Sequence, residues 1–223
     1  MFSSQKHVFW QALLVAFFIF GIGVLLGFAL EGWRVDKIAS LYSQSELELF
    51  DMRILSDLSG LDILNCSLLV QRNAKFADKI YEESKLLDEY EGSSRLSESI
   101  RLQHKRYDLL RALLWVSVIK DRQSCASEFN TLVYLYQYNS PSIETKAKQA
   151  VFSKYLGEIK NEFGDKVILI PLAGDNNLES LNVLLDNYNI KTLPVIILNE
   201  AQQFKEIEDL SDIKTELNRS KYR

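Results

Sequence analysis

The sequence predicts three regions in order: a transmembrane helix, an α-helical hairpin region and a C-terminal α/β domain. Three observations predict them. An uncharged apolar run of roughly 20 residues opens the chain, enough to cross a bilayer. Apolar residues then recur at helical spacing between glycine stops, and after Cys125 short β-branched runs alternate with helical segments. The boundaries fall at 1–32 for the N-terminal stub and anchor, 33–126 for the helical, coiled-coil-like hairpin region, and 127–223 for the α/β domain.

The anchor is Val8 to Leu30, in which Gln11 is the strongest polar residue and no charge occurs. Trp10 and Trp33 stand at its ends, where indole rings favour the interface between lipid and water. A cleaved signal peptide is the competing reading. The apolar stretch is long for that role, and Phe28-Ala29-Leu30-Glu31 offers no small-residue cleavage site. Gly23 and Gly27 form a G-x-x-x-G pair that would let two helices approach closely, so a homodimer is possible, although glycine is common in membrane helices. Flanking charges do not decide orientation: Lys6 lies on one side, and Arg34 and Lys37 lie beside Glu31 and Asp36 on the other. A short stub before a large domain favours an extracytoplasmic domain on a single-pass protein of the cell membrane.

Three helices are expected across the middle region. Ile38, Leu47, Phe50, Ile54 and Leu58 mark an apolar packing face in the first, with Gly60 placed to end it. Leu69, Phe76, Ile80, Leu87 and Tyr90 do the same in the second, which stops at Gly92-Ser93-Ser94. The third runs from near Leu96 to about Arg122. Its first half, Arg101 to Arg106 with His104, reads as solvated. Its second half, Leu109 to Ile119, reads as buried, with Trp115 as the largest contact. An alternative use for that apolar half is docking on another membrane protein.

Strands are expected at Thr131–Tyr136, Val167–Ile170, Val195–Leu198 and near Gln203–Ile207, with helices at Ile143–Phe163, Leu178–Tyr188 and Leu210–Leu217 between or after them. Successive β-α-β units of this length imply a parallel pair in a small sheet with helices on its faces. Asp175-Asn176-Asn177 ahead of Leu178 reads as helix capping rather than a metal cluster.

Composition and motifs narrow the function classes. At 25% charged and 47% hydrophobic, the 223-residue chain reads as folded. A balance of 26 Lys and Arg against 30 Asp and Glu leaves a net charge of −4 and no basic stripe, which argues against a nucleic-acid partner. Phosphate-loop, dinucleotide, zinc-protease and calcium-loop patterns are all missing, so no cofactor, metal or catalytic residue is expected. Asn65-Cys66-Ser67 and Asn218-Arg219-Ser220 fit a glycosylation sequon short enough to occur by chance.

The order strand, proline-containing break, helix, strand, helix, followed by Asn189-Ile190-Lys191-Thr192-Leu193-Pro194-Val195 leading a strand, resembles the thioredoxin fold over roughly Phe129 to Leu217. The resemblance implies a cis bond before Pro194 and a thioredoxin-like C-terminal domain. It also places Ser140-Pro141-Ser142-Ile143 where the family carries Cys-x-x-Cys. Thiol exchange needs a thiolate and a resolving thiol, and neither is present there. The expected function is therefore a membrane-tethered, redox-inactive module that binds a protein or peptide through the matching positions Ser140, Pro141, Ser142, Leu193 and Pro194. A redox protein using Cys66 and Cys125, and a structural subunit of a membrane complex, are the alternatives.

Cys66 and Cys125 are expected to pair. If the second and third helices form an antiparallel hairpin turning at Gly92, Cys66 lies about 39 Å along the axis before the turn, and the third helix returns a similar distance. A bridge closing that loop would contribute on the order of 4 kcal/mol in the chain-entropy account. Two unrelated buried thiols are the other reading.

Overall fold

A computed structural model describes residues 3–59, 66–91, 97–124, 129–139 and 142–220. They form two compact units, Met1–Leu41 and Tyr42–Arg223. Helix α1 (Ser3–Ser59) begins in the first. Its span His7–Trp33 is 27 residues long, apolar enough to cross a membrane, and not buried by the rest of the chain. The expected anchor, Val8 to Leu30, falls inside that span. Phe18, Leu25 and Phe28 are exposed there, which is compatible with membrane anchoring.

In the second unit, the end of α1 meets helices α2 (Cys66–Glu91) and α3 (Ser97–Ser124). Asn73 pairs with Asp121, Glu83 with Tyr107 and Ser84 with Arg111. From Asn73 to Glu83 and Ser84 on α2 the partner on α3 moves back from Asp121 to Tyr107 and Arg111, so α2 and α3 are antiparallel. The expected turn at 92–96 lies outside the described residues. The expected apolar face of α1 is corrected: Leu47, Phe50 and Ile54 are exposed, whereas Ser45 and Leu49 are buried. A polar contact decides the rotation of the helix. Ser45 Oγ donates to buried Glu83 at 2.7 Å, and Tyr107 donates to the same carboxylate at 3.2 Å. That geometry turns Leu49 inward and Leu47 outward.

The remaining elements are β1 (Asn130–Tyr136), α4 (Ile143–Phe163), a 3-10 turn at Gly164–Lys166, β2 (Val167–Ala173), α5 (Glu179–Asn187), β3 (Val195–Leu198), β4 (Gln202–Phe204) and α6 (Leu210–Ser220). β4 is shorter than expected and ends before Lys205. The strands form one four-stranded sheet in the order β2-β1-β3-β4. β1 and β2 are parallel, as the crossover through α4 requires, and β3 runs antiparallel to both β1 and β4.

Alternation along β1 assigns the two faces. Leu132 and Tyr134, with Ile196 and Leu198 opposite them, pack on Phe152, Leu156 and Ile159 of α4 and on Ile213 and Leu217 of α6. Val133 and Leu135 point to the other face and are fully buried with Ile168 and Ile170. Helix α3 packs against β2 and α5. Trp115 of α3 is completely buried and stacks on Tyr188, with ring centroids 5.2 Å apart. The apolar half of α3 is thus core, as its composition predicts, except that Leu109 and Val116 remain exposed.

Candidate functional site

The polarity of the sheet brings several loops to one end. β1 and β2 finish there and antiparallel β3 starts there, since Val195 sits opposite Leu135. The Leu193-Pro194 bond, immediately before β3, is cis. Pro194 is buried and Leu193 half-buried. A Cβ on Gly174, just after β2, would stand 2.7 Å from Leu193 Cδ1, so this loop approaches the proline loop closely enough to require glycine or a shift of Leu193.

Ser142 caps α4: its hydroxyl accepts from the Thr145 amide at 3.4 Å, and its backbone is extended as an N-cap requires. Ile143 follows and is 85% exposed. Ser140 and Pro141 lie outside the described residues. Of the expected partner-binding positions, Ser142, Leu193 and Pro194 are therefore at this end of the sheet.

Two expectations here are corrected. Asp175-Asn176-Asn177 does not cap α5, whose N-cap is Leu178 without a side-chain bond. Asp175 instead accepts from the backbone amides of Tyr138 and Asn139, at 2.8 and 3.0 Å, and holds the chain as it leaves β1. Asn176 donates to Asp108 of α3. His104 is not solvated. It is buried, with its ring 4.6 Å from that of Tyr138, and Gln103 beside it is buried too.

Asp108 joins the helical pair to this end of the sheet. It is buried and accepts from Arg111 at 3.2 Å, from the Ala173 amide at 3.4 Å and from Asn176. Burial raises its carboxyl above the usual range, against the opposing pull of Arg111, Asn176 and the Ala173 amide. Arg111 also donates to Ser84 of α2, while its Nε is buried without a hydrogen bond.

Cys66, the first residue of α2, is disulfide-bonded, and no described cysteine is free. The chain's other cysteine, Cys125, lies outside the described residues. Among the described residues no group of His, Cys, Asp and Glu is arranged to hold a metal ion.

A further hollow lies elsewhere. It is a cleft of about 960 Å³ between α2 and α4, floored by β1 and β2. Its lining comes from segments far apart in sequence, which is why the linear pattern gives no sign of it. A scan against protein-family models matches no family, and a search of curated proteins returns no match.

Proposed function

We propose that this chain is a membrane-tethered, redox-inactive thioredoxin-like module that binds an extended protein or peptide segment. The observation that carries the proposal is the sheet order β2-β1-β3-β4 with only β1 and β2 parallel. Together with α4 and α5 as crossovers and Pro194 leading β3, this arrangement supports the thioredoxin-like reading. The binding surface on that reading is Ser140, Pro141, Ser142, Leu193 and Pro194, extended by exposed Ile143.

Serine and isoleucine at the motif positions remove thiol exchange and leave binding. The disulfide at Cys66 supports an oxidising compartment, and pairing with Cys125 would tie the base of the helical pair to the start of the sheet domain. The uncharged span His7–Trp33 supports the tether.

The test uses the full chain in nanodiscs. Insulin reduction should stay at background, and a photo-crosslinker at Ile143 should trap a discrete partner in native membranes, lost when Leu193 is changed to Asp. Reduction that disappears when both cysteines are replaced would establish the redox alternative instead.

A further inference from the structure

We infer that the cleft between α2 and α4 is a second binding site, which takes an extended peptide segment of about seven residues carrying opposite charges at its two ends. Its walls are built by described side chains, so the inference does not depend on the thioredoxin-like reading.

Shape comes first. The α4 wall runs from Lys146 to Asn161, one face of the helix over a rise of about 22 Å. A compact small molecule would leave most of that length empty, whereas an extended chain at about 3.3 Å per residue fills it with roughly seven residues. The middle of this wall is lined by Ala150, Ser153 and Gly157. A Cβ on Gly157 would meet nothing within 4 Å, so space is open directly above the helix backbone.

The floor is rich in tyrosine, and the opposite wall, mostly charged and polar, adds one more. Tyr81 on α2, with Lys85 Nζ 4.4 Å over its ring, Tyr136, stacked on Tyr134, and Tyr138, against His104, line the cleft with Pro171 of β2 beside them. Tyrosine presents a large contact area with few rotatable bonds and a hydroxyl for peptide groups, which suits extended chains. Gln149 and Asn161 add amides along the α4 side.

Charge sets the direction. Most ionic groups in the lining are already neutralised: Lys85 by Glu82 at 2.8 Å, Lys160 by Asp78 at 3.0 Å, Arg111 by Asp108 at 3.2 Å. Two are not. Lys146, in the first turn of α4, and Asp165, just past its last turn, make no ion pair among the described residues, and both are exposed. They mark opposite ends of the cleft. A peptide acidic at the Lys146 end and basic at the Asp165 end is therefore complementary, with the tyrosines supplying affinity and the exposed charges supplying orientation.

The probe is a phage-displayed library of random 12-residue peptides selected on the full chain in nanodiscs, with enriched sequences remeasured by fluorescence anisotropy. Enriched peptides should combine an apolar or aromatic centre with opposite charges about seven residues apart. Gly157→Trp, which fills the open space, should weaken them by about tenfold or more. Ala150→Trp provides the same block two turns earlier on the same face if Gly157→Trp unfolds, and thermal unfolding by circular dichroism reports which variants are folded. Lys146→Glu should reverse the preferred charge at one peptide end, with a two- to fivefold effect typical of about one exposed pair. No enrichment above the starting library overturns the inference. So does binding that survives both tryptophans in folded protein. Peptides that respond to Ile143→Asp and not to the tryptophans would place binding at the end of the sheet, supporting the function proposed above and refuting the cleft.

Discussion

Removing the Asp108 carboxylate should destabilise the second unit far more than its own interactions are worth. Burial raises the Asp108 carboxyl in spite of Arg111, Asn176 and the Ala173 amide, so the ionised group costs more to desolvate than its partners return. Asp108→Ala nevertheless strands three donors at once: Arg111, only 4% exposed, the Ala173 amide and Asn176. Breaking one half of a buried pair typically costs about 3–5 kcal/mol. At roughly 2–4 °C per kcal/mol for a unit of this size, the melting temperature should fall by about 6–20 °C. Asp108→Ala/Arg111→Met removes the stranded charge with its partner and should recover most of that loss, because an apolar pair of similar volume is often as stable as the ion pair. The assay is thermal and denaturant unfolding of the full chain by circular dichroism, arranged as a double-mutant cycle. A single-variant loss below about 1 kcal/mol, or a double variant as unstable as the two singles added together, would refute this reasoning.

Alkaline unfolding should carry a Tyr134 signature. Burial pushes its hydroxyl from 10.0 up to about 12. Folding favours the neutral phenol, so its contribution is complete below pH 10 and is lost as the pH climbs through about 12, a total on the order of 3 kcal/mol. Tyr134→Phe should flatten stability over that range in urea titrations, and a slope unchanged by the substitution would reject the assignment. Two glycines should respond in opposite directions to alanine. Gly164, at φ +57 with ψ −131, should lose about 1–3 kcal/mol, while helical Gly157, with open space above it, should gain about 0.5–1 kcal/mol. Equal effects at the two sites in chemical denaturation would contradict the backbone argument. Finally, alkylation of non-reduced protein from its native membrane should leave Cys66 and Cys125 unmodified, and mass spectrometry showing either one labelled would break the expected pairing.

The sheet was legible because its signals are local. Val167 to Ile170 is a continuous apolar run bounded by a turn, and the observed strand starts at Val167. The helix over Ile143–Phe163 has both ends written in sequence, Ser142 as its cap and Gly164 at its end, and the structure uses both. What could not be read depends on distant partners. His104 sits among charged neighbours, yet it is buried, with the ring of Tyr138, brought over by the sheet, against it. Asn176 looks like a capping residue until Asp108, 68 positions away, accepts its hydrogen bond. The rotation of α1 follows from Ser45 reaching Glu83 across 38 positions, against the apolar pattern of Leu47, Phe50 and Ile54.

The two borders of the sheet bear on how copies of this chain tolerate crowding. A four-stranded open sheet has two rims, and a flat unpaired rim is a template on which a neighbouring copy can polymerise. Along β2 that template is interrupted by Pro171, which has no amide hydrogen to offer, and α2 packs against the strand. The other rim, β4, spans three residues, with Gln202 and Gln203 exposed and Lys205 immediately after. Molecules confined to a surface meet at far higher effective concentration than molecules free in three dimensions. Rims this short or this shielded let such molecules stand side by side without fusing their sheets, and Pro171→Val is the substitution that would begin to remove the protection.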